Sequence, residues 1–441
     1  MRTLKVLLLL GVLSGPLASC QSQRDMDEFV QVKKQLLETS IKSDSAGMVQ
    51  ARQRFERLLQ NEGVARHDSL AAWSHYFIGF ANWQMAFVTF GNMEGAKKTA
   101  SEAITHLQTA TKLKANLVDA YVVLRRCYFW QYLLDPKTGM IGWRESAALL
   151  QKAKEFAPEN PRVIFEEAID WFYKPPQAGG DQQKGLARFQ EAVQRFEQMP
   201  KRDAADENWW HATTYIYLGQ AYLTVEKPEE AEKAFQKALA LQPNFAMVKN
   251  SMLPMTQEMT VPVVRNLDQV TWKQLAAESA NDGRNPNWAE AKALSFYYDA
   301  STDTLWFKFD LERLPNPNAF GLNLIVDTDQ NQQTGANWWG NNKTFKYDRL
   351  VTVWVIKTGP NRYRGAVGIG DTHGIQRGRY TNLFQNNLAF RADAEKKIFL
   401  LGFKSAELDK DGQFDLMGEV GSNVGWNDDV PDSGFVTLDL K

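Results

Sequence analysis

The chain has 441 residues, 44% of them hydrophobic and 23% charged, which is the composition of an ordinary globular protein of two or three domains. Its formal net charge of -1 provides no basic field, which argues against broad electrostatic capture of nucleic acid. Aromatic residues reach 12%, with 14 tryptophans, enough to furnish binding surfaces as well as cores.

The N-terminus comes first. Arg2 and Lys5 precede the apolar run VLLLLGVL (Val6 to Leu13), which is too short to span a bilayer. LASC (Leu17 to Cys20) follows, small residues before a cysteine, and resembles a bacterial lipobox. The resemblance implies a signal peptide over residues 1–19 and an acylated Cys20 as the mature N-terminus. An ordinary signal peptide with an incidental cysteine is the alternative. Gln21 after the cysteine, where Gram-negative lipoproteins kept at the inner membrane carry Asp, implies the outer membrane, on its periplasmic face or at the cell surface. Cys127, in the apolar run AYVVLRRCYFWQYLL, is expected to be a buried thiol.

Residues 20–255 form the first domain after the leader. From Asp25 to about Lys249 the chain is rich in Ala, Leu, Gln, Glu and Lys with helical periodicity. Its clearest unit is YIYLGQAYLTVEKPEEAEKAFQKALALQP, with Leu218-Gly219, Tyr222, Ala231, Phe235, Ala238 and Pro243. This pattern resembles the tetratricopeptide repeat, a helix-turn-helix unit of about 34 residues in which small residues let paired helices approach and aromatics fill the groove. Fainter pairs precede it, over 71–83 with 103–113, 120–128 with 146–158, and 163–171 with 185–196. Asp135 to Trp143 and Lys174 to Asp181 read as insertions between paired helices, and residues 25–62 as one or two capping helices. The resemblance implies docking of a protein or peptide partner. No side chain here stands out as a catalyst. His67, His75, His106 and His211 read as polar or half-buried helix positions, and Trp209 and Trp210 as packing at a helix start.

Two prolines in LPMTQEMTVPVVRN (Leu253 to Asn266) end the helical pattern, which puts the domain boundary near 255 to 262. Residues 262–441 then alternate apolar and polar. Nine strand candidates, from LSFYYDA to GFVTLDLK, predict an antiparallel β-sandwich, with hairpin turns at Asp299–Asp303 and Asp393–Lys397. The fold class is therefore a helical array followed by a β-sandwich.

Three segments in this half, DGRNPNWAEAKALSFYYDASTDTLWFKFDL, AFGLNLIVDTDQNQQTG and NDDVPDSGFVTLDL, resemble family-nine carbohydrate-binding modules and the related DOMON domains. That resemblance implies a non-catalytic module for a sugar or, more rarely, haem. Haem would need axial ligands, for which His373 and Met417 are the sparse candidates. Elbow, zinc-helix and phosphate-loop motifs of common enzymes are absent from the sequence.

The loop DTDQNQQTGANWWG (Asp327 to Gly340) concentrates the candidate site. Asp327, Asp329 and Asn331 are alternating oxygen donors, the type that hard cations such as calcium take. Asp348 or Asn427 to Asp429 are candidates to complete the shell. The other reading is a polar turn whose side chains cap their own backbone. Trp338 and Trp339 have few apolar sequence neighbours, so at least one indole is expected to form a ligand platform, with Asn337, Asn341 and Asn342 bonding sugar hydroxyls. The expectation is a non-enzymatic envelope lipoprotein that binds a protein through its repeats and a glycan through its sandwich. A ligand-free scaffold and an auxiliary subunit of a glycan-degrading system are the alternatives.

Overall fold

The computed structural model describes residues 16–440 apart from 89–92, 135, 175, 177–178, 200–203, 226, 261–266, 279–288, 317, 339, 341, 361, 372–388, 394, 409–411 and 423–427. The chain divides into two compact units, one of residues up to 89 with 94–218 and one of 90–93 with 219 onward.

The first unit is all helix: α1 (Pro16–Ile41), α2 (Ser45–Gln60), α3 (Glu62–Ala65), α4 (Asp68–Val88), α5 (Met93–Leu113), α6 (Val118–Leu134), α7 (Pro136–Phe156), α8 (Pro161–Tyr173), α9 (Gln182–Gln198) and most of α10 (Ala204–Thr224). Local chemistry marks the starts. Asp44 accepts from Gly47 N–H ahead of α2, Asp181 from Lys184 N–H ahead of α9, and Asn160 caps α8 with Pro161 in its first turn. The predicted insertion at Asp135 to Trp143 is corrected here, because α7 runs through it from Pro136. Proline is tolerated in a first helical turn, and Gly142 lets α7 close on α6, where a Cβ would lie 3.1 Å from the Tyr128 carbonyl oxygen. Helix α6 buries residues on almost every side, so it is a central helix of the stack. Cys127 on it is a buried free thiol, and burial raises its pKa.

Two features hold this unit. Phe29, Phe55 and Phe77 join α1, α2 and α4, with Phe55 stacked on Phe77 at 5.4 Å and Phe29 edge-on to both. Charge joins α6 to α8. Glu166 on α8 is 1% exposed and accepts from Arg125 and Arg126 of α6, each at 2.5 Å. Arg125 also reaches Asp170, and Arg162 pairs with Asp119 at 2.5 Å. The Arg126 guanidinium lies over the rings of Trp83, Phe165 and Tyr217.

The second unit begins inside α10. Here α11 (Pro228–Leu241) leads through a π-helical turn (Val248–Met252) and a 3-10 turn (Pro254–Thr256) into β1 (Glu258–Thr260). Secondary structure therefore changes type between Thr256 and Glu258, yet the compact unit starts earlier, at Gly219. The reason is packing. Helix α11 packs on the π-helical and 3-10 turns, the 3-10 turn packs on β9 (Arg362–Asp371), and Glu229 of α11 pairs at 3.1 Å with Arg364 of that strand. Gly219 of α10 abuts Phe235 of α11, where a Cβ would lie 2.4 Å from the ring. Phe235 is fully buried and cannot yield, so Gly219→Ala is expected to cost about 1–3 kcal/mol by overpacking. A lowered melting temperature in calorimetry checks this, and an unchanged one contradicts it.

Fourteen strands are described: β1, β2 (Lys273–Ala277), β3 (Glu290–Asp299), β4 (Thr304–Arg313), β5 (Ala319–Asp327), β6 (Ala336–Asn337), β7 (Lys346–Tyr347), β8 (Arg349–Gly359), β9, β10 (Ala389–Asp393), β11 (Ile398–Lys404), β12 (Gln413–Ser422), β13 (Asp428–Val430) and β14 (Val436–Asp439). All nine predicted segments are among them. One sheet runs β1-β9-β8-β5-β12-β13, with β14 also on β12. The other runs β10-β11-β4-β3-β2. Every pairing is antiparallel. The sheets share a core that includes Phe307, Phe309, Phe320, Leu324, Val353 and Phe399.

Strand β5 is buried along its whole length, between β8 and β12. Phe320, Leu322, Leu324 and Val326 face the main core, as the period of two dictates. Ile325 points to the opposite face, where Leu350 and Met417 also present apolar groups. That outer face needs a cover, and the β6-β7 hairpin supplies one.

Candidate functional site

The site forms where β5 ends and the chain turns toward that hairpin. Asp327 closes the strand and is buried. Asp329 stands in the turn, and Asp348 lies between β7 and β8. One carboxylate oxygen from each lies within 4.8 Å of the other two. Asp348 thus joins the predicted pair. Asp428 and Asp429 do not, because Asp428 accepts from Ala291 N–H at 2.8 Å and Asp429 serves Trp338 and Asn342.

The loop's own polar groups donate to the cluster. Thr334 Oγ1 donates to Asp329 at 2.8 Å, Gln332 Nε2 to Asp327 at 2.6 Å, and Thr328 N–H to Asp348 at 3.0 Å. Asn331 bonds the loop backbone instead, its side-chain oxygen accepting from Gln333 N–H at 3.1 Å. Burial, then a hydrogen bond to Asp329, push the Asp327 carboxyl up to about 6. The Thr334 hydroxyl holds Asp329 below the usual carboxylate range. Oxygen donors alone suit a hard cation of the calcium type.

Trp338 requires a correction. It is 1% exposed, inside a small core with Ile325, Ala336, Phe345, Tyr347, Leu350 and Met417. Its Nε1–H donates to Asp429 at 3.1 Å, and Tyr347 meets its ring edge-on at 5.8 Å. The indole covers the outer face of β5 and β12, so no ring face is open to a sugar. Asn342 is buried too, its N–H donating to Asp429 at 2.7 Å. Asn337 lies on β6 opposite Lys346, partly exposed. Trp339, Asn341, Asn427 and His373 fall outside the described residues. Met417 belongs to the Trp338 core.

In the helical unit, Trp209 and Trp210 are buried as packing residues, and His67 accepts from Leu70 N–H at the start of α4. His211 is sandwiched between Phe196 and Tyr215 at 5.3 and 5.1 Å. Sequence reasoning missed one pairing altogether. His75 of α4 and His106 of α5 meet Nδ1 to Nδ1 at 3.0 Å.

Comparison with known proteins finds a tetratricopeptide repeat, whose family model matches residues 212–245. The match spans α10 and α11. No curated protein matches the chain. Among solved structures it is similar to the HusA haemophore of Porphyromonas gingivalis, 21% identical over 43% of this chain and 92% of that one, with a TM-score of 0.36. It is also similar to a thermophilic TPR protein of Thermus thermophilus, 15% identical over 49% and 94% of the two chains, with a TM-score of 0.34. Pseudomonas aeruginosa PilF is 19% identical over 42% and 68%, with a TM-score of 0.26.

Proposed function

We propose that the chain is a non-enzymatic binding protein of the cell envelope, tethered to the outer membrane by an acylated Cys20. Its helical repeats dock a protein partner, and its β-sandwich is a ligand module braced by calcium. The repeat matched over 212–245, within a stack of paired helices, supports the protein-docking part. The leader and lipobox in the sequence support the tether.

One observation carries the calcium part: the convergence of Asp327, Asp329 and Asp348 at the end of a buried strand. Three carboxylates this close repel one another unless a proton or a cation lies among them. Without a cation, the folded chain keeps the Asp327 proton to about pH 6, whereas an unfolded Asp loses it near 4. The folded state then binds more protons between those values, so this group's contribution to stability falls as pH rises through the window. Asp329, held low by Thr334, acts in the opposite sense at lower pH.

Calcium replaces the proton. Millimolar calcium is therefore expected to raise the melting temperature of the full chain at pH 7, a chelator to reverse the rise, and calcium affinity to weaken as pH drops below about 6. A melting temperature indifferent to calcium in wild type, or a rise of equal size in Asp329→Asn, rules the ion out.

The burial of Trp338 favours a second reading, a sandwich that is structural and binds no sugar. A glycan panel against the full chain, with calcium and with chelator, separates the two. Binding that is lost in Trp339→Ala supports the module, and absence of binding in both conditions leaves the scaffold.

A further inference from the structure

His75 and His106 hold their rings with centroids 5.1 Å apart and the same nitrogen of each turned into one gap. Nitrogens on a common metal ion at ~2.0–2.1 Å stand ~2.9 Å apart at a right angle and ~3.3 Å apart at the tetrahedral angle. The observed 3.0 Å falls inside that window. Carboxylates stand near. Glu102 precedes His106 by four residues and so shares its face of α5, and both Glu102 and Glu56 of α2 act electrostatically on His106. Arg52 of α2 lies between these acids, 3.4 Å from Glu56 and 3.5 Å from Glu102, and donates to Asn82 at 2.9 Å. Both rings are only partly buried, so an ion has access from solvent.

We propose that His75 and His106 are the paired nitrogen ligands of a transition-metal site of the zinc class, with water completing the shell. Paired imidazole nitrogens suit zinc, copper or nickel and are poorly matched to calcium, so this site is distinct in kind from the oxygen cluster of the sandwich. In the metal-free pair one Nδ1 carries the proton that the other accepts. On binding, that proton moves through solvent to the Nε2 of its own ring, freeing both Nδ1 lone pairs with no net release.

The test is calorimetric titration of zinc chloride into tag-free, metal-stripped full-length protein at pH 7. One saturable site is expected, weakened at least about ten-fold in His75→Gln and in His106→Gln, since even outer-shell losses reach that size. Asp329→Asn should bind zinc as wild type does. Retained affinity in both histidine variants, or loss in Asp329→Asn alone, overturns the assignment. A second measurement needs no variant. In protein carrying ¹⁵N-labelled histidine, zinc should shift the Nδ1 resonances of two of the five rings. Resonances unmoved by saturating zinc reject the site.

Discussion

Glu166→Ala is expected to destabilise the helical unit by about 3–5 kcal/mol, the cost of leaving a buried ion pair with one partner. Glu166 is 1% exposed, and both Arg125 and Arg126 donate to it. Burial alone would lower the pKa of the Arg126 guanidinium, but Glu166 and the Tyr217 hydroxyl outweigh that and raise it. Arg125 retains Asp170 when Glu166 is lost. Arg126 retains the Tyr217 hydroxyl at 3.2 Å and three aromatic faces, none of which bears a full negative charge. Urea unfolding followed at the helical circular-dichroism band measures the cost. Replacing the pair together, Arg126→Met with Glu166→Leu, should restore most of the loss, because apolar packing of similar volume commonly matches a buried ion pair. A single variant within about 0.5 kcal/mol of wild type, the range of ordinary surface changes, would contradict the buried network.

Trp338→Ala should cost the sandwich a comparable about 3–5 kcal/mol, the usual loss for truncating a buried Trp. The indole fills the space between Ile325, Leu350, Met417 and the β6-β7 hairpin, and its removal leaves a cavity and takes a donor from Asp429. Trp338→Phe keeps much of the volume but not the N–H, so its cost should fall to about 1–3 kcal/mol. Differential scanning calorimetry of the full chain reads both. The opposite behaviour marks a surface platform, where alanine leaves stability within about 0.5 kcal/mol and removes ligand binding alone. An unshifted sandwich transition in Trp338→Ala would therefore restore the platform reading.

The same tryptophan shows where sequence reasoning reaches its limit. Its neighbours Gly340, Asn337 and Lys343 suggest exposure, yet its surroundings come from β5, β8 and β12. The Nε1–H partner lies 91 residues away in sequence. The Arg126–Glu166 pair is hidden in the same way. RRC and FEEA lie in two separate repeat helices of the sequence, and the two residues are 40 positions apart. His75 and His106, 31 apart, each read alone as a half-buried helix position. By contrast, the proximity of Asp327 and Asp329 was legible, because the two acids stand two residues apart at the start of one turn. Short strands such as β6, β7 and β13 were not, since two or three residues cannot display alternation.

By itself, then, the sequence determined the helical repeats, nine of the fourteen described strands, a change of class near 255 to 262 and the acidic end of β5. Each depends on periodicity or spacing within a few residues, and chain geometry enforces that locally. Only the tertiary structure decided that Trp338 is a core residue, that Asp348 rather than Asp429 completes the acidic cluster, and that two histidines share one gap. Burial and side-chain partnership depend on which distant surfaces the packed sheets and helices bring together, and a linear pattern does not carry that information.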